Sequence, residues 1–560
     1  MNAATAAARG FVAGLIDAGV VEAVVAPGSR NGPLSLALAA ADRVGAMRLH
    51  VRHDERSAAF VALGLATVSK RPVVVVVTSG SAGSHLAGAA VEAAQAGIPL
   101  VLITADRPSA LTGTGASQTI PQRDLLAGTG ASFLALPEGD DAAELARSWT
   151  NGARSAVGVA WHGPGPVHVN APFGEPLTPT DDWSDIPATS EVPVPPRGEV
   201  EPTARDWGVA GKRGVIVAGP APGVTSAGVV ALSRAFGYPV LAEPTLAPWP
   251  ADVVMAHAPL LTQRHPHLQP DVVIAVGRVG LSRAEAMLLR DCDVVAIAPP
   301  PGVTRSGARL VLPGMPSDAA LRVASAHAPA PSGWLSSWRA ASDETRVHVS
   351  AVLRANPDSS LALARSVVAG LSFDGLLHLS ASLPARDVAT VAANDVSSAW
   401  ESGSIAVTMN RGANGIDGMA STAIGAALAW QRRGGGRAIA YLGDVGTLHD
   451  LPGFVVAPSE PTPDLTFVVS DNDGGGIFST LEQSSVRDFE RVFGTPHGRD
   501  LVAVLNALGV PSVRTSVADV ADALHEPHSG LRAIIVPTLS RADEAVVHRQ
   551  LLDASSVRPA

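Results

Sequence analysis

Arg437-Ala-Ile-Ala-Tyr-Leu-Gly-Asp-Val445 and Leu465-Thr-Phe-Val-Val-Ser-Asp-Asn-Asp-Gly-Gly-Gly476 decide how this chain is read, with Asn472 standing 28 positions beyond Asp444. Each opens as a short apolar run of strand length and breaks at glycine, aspartate or asparagine, the pattern of a buried strand. A strand ending in Gly443-Asp444 presents a carboxylate at the carboxyl edge of a sheet. One ending in Asn472-Asp473-Gly474 brings an amide oxygen and the Gly474 carbonyl to the same edge. Hard divalent cations such as Mg²⁺ prefer oxygen ligands, and Mg²⁺ held by few protein groups usually also holds phosphates. Asp444, Asn472 and Gly474 therefore read as the metal anchor of a diphosphate. Gly446 and Thr447 add backbone amides at an expected helix start, a natural phosphate cradle.

Outward from this stretch, strand, short Gly/Ser/Pro loop and helix alternate over almost the whole chain. This pattern predicts an α/β fold of parallel sheets flanked by helices. At 560 residues the chain exceeds one ordinary domain. Two proline-rich shifts divide it, one from about Pro172 to Pro202 and one at Ala328-Pro-Ala-Pro-Ser-Gly333, after which Trp334 to Leu353 reads as a helix. Three domains are expected, at 1–184, 190–330 and 334–560, the first and third alike in pattern. The middle one holds Gly214-Val-Ile-Val-Ala-Gly219 and Asp271-Val-Val-Ile-Ala-Val-Gly277, strand-then-glycine patterns of a Rossmann-like sheet. Pro220 and Pro222 stand where a dinucleotide fingerprint needs backbone amides, so we read this domain as a structural spacer.

Composition bounds the function. Hydrophobic residues make up 46% of the chain, charged residues 16% and aromatics 4%, which suits large cores with close helix–sheet packing. The most apolar run, Pro72-Val-Val-Val-Val-Val-Thr78, has strand length, far short of the roughly 20 residues of a spanning helix. The start lacks a basic region followed by an apolar core and cleavage site. Ala6 to Ala18 reads as a helix leading into the strand Ala23-Val-Val-Ala26, and the cytoplasm is the expected compartment. The single Cys292 excludes an intrachain disulfide and a cysteine metal cluster. A net charge of −10 argues against a nucleic-acid surface but allows local arginine pockets for small anions.

His53-Asp-Glu-Arg56 follows the expected strand Met47 to Val51 and opens an expected helix from Ala58 to Thr67. Acids in a first turn suit the helix dipole, which by itself accounts for Glu55. Beside a metal-borne diphosphate anchor, another account gains weight. Thiamine diphosphate needs a carboxylic acid beside its aminopyrimidine, where hydrogen bonding shifts the amino group to the imino form that takes the thiazolium proton. A glutamate after the second strand of an amino-terminal domain has that position.

Further motifs are more specific. They are Ala26-Pro-Gly-Ser-Arg-Asn31, His53-Asp-Glu-Arg56, Thr78-Ser-Gly80, Thr104-Ala-Asp-Arg-Pro108, Gly115-Ala-Ser-Gln118, Asn410-Arg-Gly-Ala-Asn-Gly-Ile-Asp-Gly418, Gly443-Asp444 and Gly474-Gly-Gly-Ile-Phe478. Through them the chain resembles the thiamine-diphosphate-dependent decarboxylases and synthases. Within that superfamily it resembles the 2-succinyl-5-enolpyruvyl-6-hydroxy-3-cyclohexene-1-carboxylate (SEPHCHC) synthase family of menaquinone biosynthesis. The resemblance covers both outer domains nearly end to end and is weak in the middle one. It implies a thiamine-diphosphate-binding fold with pyrimidine, Rossmann-like middle, and diphosphate domains in that order. The implied cofactors are thiamine diphosphate and Mg²⁺, with Mn²⁺ as an alternative. The implied activity is that of a transferase: 2-oxoglutarate is decarboxylated on the cofactor, and the succinyl-semialdehyde carbanion adds to isochorismate in a Stetter-like 1,4-addition.

These ligands are anionic, so an acidic chain must supply local cations, above all arginines, whose planar fork grips a carboxylate with two hydrogen bonds. Arg30, Arg107, Arg386 and Arg411 each fall in a Gly/Ser/Pro-rich turn rather than on a helix face. The resemblance implies that Ser29, Arg30, Arg107 and Gln118 hold isochorismate, and that Ser382, Arg386 and Arg411 hold the succinyl carboxylate. Arg283 is the expected basic contribution of the middle domain. Ile416, in a loop before an expected helix from Met419 to Ala429, would be a wedge beneath the cofactor that brings its reacting atoms together. Phe478 would be an apolar wall near the reacting centre. For both, a buried core position is the plainer reading. Glu55 and Ile416 are the implied catalytic residues. Gly80, Gly443, Asp444, Val445, Gly446, Thr447, Asn472 and Ile477 are the others implied to line the cofactor. Asp471, where many relatives carry asparagine, could compete with Asn472 for the metal. Two departures from the family pattern touch the substrates: Ser117 and Leu383 stand where asparagine is common.

In this superfamily the halves of one site come from different subunits. The resemblance thus implies a homodimer or homotetramer with active sites at the subunit interface, no nucleic acid and no membrane insertion. The nearest alternative is another thiamine-diphosphate-dependent 2-oxoacid decarboxylase or acetolactate-type synthase, which leaves Arg30, Arg107 and Gln118 without a purpose. A catalytically dead subunit on the same fold is disfavoured by the intact Glu55 and metal pair.

Overall fold

A strand covered by helices on both faces needs an apolar side chain at nearly every position. Val73–Val77, five buried valines, is the plainest case. In the computed structural model, which describes residues 1–163, 165–188, 207–209, 211–298, 307–325, 330–392 and 397–553, such runs build three sheets. Every strand pairing among the described residues is parallel. The expected domain start at 190, much of the Pro172–Pro202 shift, and Ala328 and Pro329 lie outside the described residues. The chain forms two compact units. One takes the described part of Met1–Pro196 with Asn410–Gly434 and His449–Pro463. The other takes the described parts of Arg197–Met409, Gly435–Leu448 and Asp464–Ala560.

The first unit holds β1 (Glu22–Val25), β2 (Arg48–Val51), β3 (Val73–Val77), β4 (Leu100–Asp106), β5 (Ser132–Ala135) and β6 (Pro166–Pro172), in the order β2-β1-β3-β4-β6-β5. Helix Ala3–Asp17 starts at Asn2, whose side chain accepts from the Thr5 amide at 2.8 Å. Helix Glu55–Ser69 starts the same way at Asp54, through the Ser57 amide at 2.8 Å. This helix packs on Met419–Arg432 with backbones nearly touching: a Cβ on Gly64 would overlap the Thr422 carbonyl, and one on Gly425 the Val61 carbonyl. Such contacts explain how a chain poor in aromatics closes its core.

The second unit holds two sheets. β7 (Gly214–Ala218), β8 (Val240–Ala242), β9 (Val272–Val276), β10 (Asp293–Ile297) and β11 (Leu310–Leu312) run in the order β11-β10-β9-β7-β8. β12 (Leu376–Leu379), β13 (Ala406–Met409), β14 (Ala438–Gly443), β15 (Leu465–Asp471), β16 (Ser512–Arg514) and β17 (Leu531–Pro537) run in the order β13-β12-β14-β15-β17-β16. Open α/β sheets bind ligands where the strand order reverses. In the five-stranded sheet that place, between β7 and β9, is filled by the chain's own turns. The Arg278 amide donates to Pro220 O at 3.1 Å, and a Cβ on Gly219 would overlap the Arg278 carbonyl. Helix Trp334–Ala355 ties its first turn to the five-stranded sheet through Trp334 Nε1 and Gly214 O at 2.7 Å. Trp249 meets Trp400 edge to face at 5.2 Å. Among the described residues no helix is long and apolar enough to cross a membrane.

Helices expected at Ala6–Ala18, Trp334–Leu353 and Met419–Ala429 are found at Ala3–Asp17, Trp334–Ala355 and Met419–Arg432. The helix expected at Ala58–Thr67 starts earlier, because Asp54 caps it, and this makes Glu55 its first residue.

Candidate active site

β14 and β15 are neighbours in register, Gly443 opposite Ser470, so the Asp444 and Asn472 turns leave the same sheet edge. Asp444 is buried and opens the short helix Asp444–His449. Its carboxylate accepts from the amides of Val445 (2.6 Å), Gly474 (2.8 Å) and Asn472 (3.2 Å), and His497 Nε2 lies 3.3 Å away. Burial pushes its pKa up, and the Gly474 and Val445 amides and His497 oppose that rise. Asn472 Oδ1 is shut away from solvent and has no hydrogen-bond partner among the described residues. A buried acceptor left open is costly. A hard cation would complete it, so this donor set fits the Mg²⁺ that the sequence implies. Gly474 meets Asp444 through its amide. Its carbonyl accepts from Gly476 N at 2.8 Å, which occupies one of two lone pairs.

His497 is the residue that sequence reasoning missed. Its Nε2 stands 3.8 Å from Asp471 Oδ1, and the ligand atoms of Asp444, Asp471 and His497 lie within 4.8 Å of one another. Asp473 pins its loop, accepting from the amides of His497 (3.0 Å) and Gly498 (2.7 Å). The available signal was a histidine between Pro496 and Gly498, hence in a turn; no spacing rule links it to Asp444.

Around this edge, Val445 gives its amide to Asp444, and Thr447 Oγ1 donates to Gly443 O at 3.0 Å. Gly446 is buried, with Ser380 Oγ 3.7 Å from where its Cβ would stand. Ile477 and Phe478 lie on the turn Gly476–Thr480. Phe478 is 37% exposed and tilts against Phe493 with centroids 5.7 Å apart. Ile416, in the other unit, is also 37% exposed. Neither is the buried core residue that hydrophobicity alone suggests.

Arg386 is a correction: it lies within helix Leu383–Val391, not in a turn. Pro384 stands in the first turn, where its fixed φ and missing N–H suit a helix start, so this proline marks a beginning and not a loop. Arg386 Nη1 folds back to Ser382 O (3.0 Å) and Ala381 O (3.3 Å), tying Ser382 to the helix it precedes. Leu383 is buried. Arg283 is exposed on the first turn of helix Arg283–Asp291, behind a capping box of Ser282 and Glu285.

In the first unit the carboxyl edge of the sheet brings arginines together. Arg30 is buried and donates from Nη1 to Phe173 O at 2.8 Å. Burial, then the like charge of Arg107, holds its guanidinium below the usual value. Arg107 follows β4 with its Nε buried and without a hydrogen-bond partner among the described residues. The preceding Asp106 is pushed up by burial. It accepts from Asn170 Nδ2 at 2.9 Å and from the Arg107 amide at 2.8 Å. Buried Gln122 accepts from the Gly80 amide (3.1 Å) and donates to Asn170 Oδ1 (2.8 Å) and Ala105 O (3.2 Å), which joins the turns after β3 and β4. Gln118, at φ 53°, packs on Gly80, and its side chain and Ser29 are exposed. Two adjoining guanidiniums with an open buried nitrogen suit a carboxylate ligand. Glu55 is half-buried, and Arg411 is buried at the base of the loop that carries Ile416.

Residues 5–126 match the family described as thiamine pyrophosphate enzyme, N-terminal TPP binding domain. Along nearly its whole length the chain is similar to proteins named 2-succinyl-5-enolpyruvyl-6-hydroxy-3-cyclohexene-1-carboxylate synthase. The one from Thermobifida fusca (strain YX) is 40% identical over 99% of this chain and 99% of the relative. That from Rhodococcus erythropolis (strain PR4 / NBRC 100887) is 36% identical over 96% and 97%, and that from Saccharopolyspora erythraea 38% over 98% of each. With an α/β fold of parallel sheets and this coverage, the chain belongs to the 2-succinyl-5-enolpyruvyl-6-hydroxy-3-cyclohexene-1-carboxylate synthase family of thiamine-diphosphate enzymes.

Proposed function

We propose that this chain is a transferase of menaquinone biosynthesis. It decarboxylates 2-oxoglutarate and joins the remaining four-carbon unit to isochorismate, giving SEPHCHC and carbon dioxide. The names of the relatives support the substrates. The observation that carries the chemistry is the β14–β15 edge, where a buried carboxylate held by three amides stands beside a buried amide oxygen with no partner among the described residues.

Thiamine diphosphate, when bound, supplies the thiazolium that takes up the electron pair released by decarboxylation. Asp444, Asn472 and the Gly474 carbonyl would hold Mg²⁺ or Mn²⁺. Gly443, Val445, Gly446, Thr447, Ile477 and Gly80 would line the cofactor. Glu55 holds or shares a proton at the pyrimidine ring, and Ile416 sets the fold of the bound cofactor. Ser29, Arg30, Arg107 and Gln118 grip isochorismate. Ser382, Arg386 and Arg411 grip the succinyl carboxylate, Arg283 adds positive charge, and Phe478 excludes water. In this reading 1–184 is the pyrimidine domain, 190–330 the middle domain and 334–560 the diphosphate domain. The working enzyme is a cytoplasmic homodimer or homotetramer with its sites at the subunit interface.

The test is isochorismate consumption by the purified protein with thiamine diphosphate, Mg²⁺ and 2-oxoglutarate, omitting each in turn. Consumption that needs all three is expected. Release of carbon dioxide with isochorismate left intact would move the assignment to a decarboxylase.

A further inference from the structure

Glu92 has no part in the chemistry above, yet it holds the loop that carries Arg411 and Ile416. It lies on helix Ala87–Ala96, which continues from the turn Gly80–Leu86, and it is 3% exposed. One carboxylate oxygen takes the Gly412 amide and the other the Ala413 amide, the latter at 2.6 Å. Two successive N–H groups thus converge on one buried carboxyl group, each of its oxygens accepting one of them. The loop lies flat on the helix: a Cβ on Gly412 would stand 2.5 Å from Glu92 O and 3.0 Å from Ala96 N, so only glycine fits. Asn410 Nδ2 closes the loop on itself, donating to Thr422 Oγ1 at 3.2 Å and Asp417 O at 3.4 Å. Gly418, at φ 59°, presses on Phe60. Between these ties Asn414 and Ile416 stand exposed.

We propose that Glu92 is a positioning residue, a carboxylate clamp on the Gly412 and Ala413 amides that sets the height of Ile416 and the direction of Arg411. This rests on the roles given to those two residues under the proposed function. Because helix Ala87–Ala96 runs on from Gly80, the clamp also ties the loop to the turn that would line the cofactor.

Glu92→Gln keeps the shape but leaves one amide without its acceptor; Glu92→Ala removes both. The first readout is hydrogen–deuterium exchange of the 410–418 loop in protein without cofactor or substrate, which does not depend on the reaction. Exchange there should quicken about tenfold in Glu92→Gln and more in Glu92→Ala, while helix Ala3–Asp17 stays protected. The second readout is kinetic. kcat should fall about tenfold or more, since small displacements of reacting groups cost up to roughly a hundredfold. KM for 2-oxoglutarate should rise and KM for isochorismate should not. Unchanged loop exchange in Glu92→Gln overturns the clamp whatever reaction the enzyme runs. Faster loop exchange with unaltered kinetics overturns the positioning role, as does an equal rise of both KM values with exchange quickened throughout the protein. If Glu92→Ala fails to fold, the isosteric Glu92→Gln decides alone.

Discussion

Numbered from its own first strand, the six-stranded sheet of the first unit runs 2-1-3-4-6-5, and so does the six-stranded sheet of the second. Their carboxyl edges share little else. β1, β3 and β4 lead into Ala26-Pro-Gly-Ser-Arg30, Thr78-Ser-Gly80 and Asp106-Arg107. Their counterparts β12, β14 and β15 lead into Ser380-Ala-Ser382, Gly443-Asp444 and Asp471-Asn472. Strand order places the loops at a switch point, but only the residues in them decide what is bound. Asp106 and Asp444 make the difference concrete. Both are buried carboxylates pushed up by burial. Asp106 is bonded to Asn170 and to the next amide, with Arg30 nearby, an arrangement that suits the anion-binding role proposed for the arginines. Asp444 is held by amides beside the open Asn472 Oδ1, an arrangement that suits the proposed cation. Under the proposed function, one topology serves an anion in one unit and a cation in the other.

The largest effect should come from the first sheet's only carboxylate with a proposed catalytic role. Glu55→Gln should lose about 10²–10⁴-fold in kcat, the usual worth of general acid–base assistance, while melting stays near that of the wild type. Near-normal turnover would remove Glu55 from the mechanism and leave the first sheet a substrate-binding half alone. Next comes the anchor. Removing metal with a chelator should abolish activity, and added Mg²⁺ should restore it. Asn472→Ala should weaken thiamine diphosphate binding, measured calorimetrically, by about 10–100-fold or more, the scale on which even supporting residues of metal sites act. Glu55→Gln should leave this Mg²⁺-dependent binding largely in place. If both variants lost cofactor affinity equally, the division of labour between the edges would be wrong.

The parts legible in the sequence are those encoded locally. Apolar runs that end in Gly443-Asp444 or Asn472-Asp473-Gly474 specify a buried strand and the group at its tip together, so the fold class and the shared sheet edge of the two proposed metal ligands are read at once. What was not legible depends on contacts far along the chain. Glu92 sits in Ala87-Gly-Ala-Ala-Val-Glu-Ala-Ala-Gln-Ala96, where a glutamate ordinarily faces water. It is buried by a loop 320 positions away. His497 reaches Asp444 only through a turn pinned by Asp473. Arg386 was placed in a turn because Pro384 serves helix starts and loops alike, and only the backbone tells which.

A smaller effect sharpens the anion side. Arg30→Lys keeps the charge but loses the planar fork, so KM for isochorismate should rise about tenfold, the worth of one hydrogen bond to a charged group. KM for 2-oxoglutarate should hold steady. Equal rises in both would place Arg30 in a shared structural role through its bond to Phe173 O.

The smallest effect separates His168 from the His548 cluster by pH. In the first sheet, burial pushes His168 down to about 4, and its Nε2 lies 2.9 Å from Thr104 Oγ1. A histidine held neutral contributes stability that is complete above its unfolded value near 6.5 and is lost as pH falls through 4. On helix Arg541–Leu552, burial alone would lower His548, but the Asp387 carboxylate at 2.8 Å and then Glu544 together more than offset this and lift it to about 9. That contribution is complete below about 6.5 and is lost as pH rises through 9. Glu544, raised to about 7 by burial and then by Asp387, acts in the same direction: its contribution is complete below its unfolded value and is lost as pH rises through 7. The His168 contribution should therefore fade as pH falls, whereas that of the His548 cluster should fade as pH rises. Each group contributes at most about 1.4 kcal/mol per pH unit across its window. Melting temperatures from pH 4 to pH 10 check this. His168→Gln should flatten the acid limb by a few degrees and leave the alkaline limb alone, and His548→Gln should do the reverse. Parallel profiles for both variants and the wild type would mean that neither imidazole is coupled to folding. His378, on β12 of the last sheet and pushed down to about 3 by burial, keeps a residual acid limb in either variant, so the acid limb should shrink in His168→Gln without vanishing.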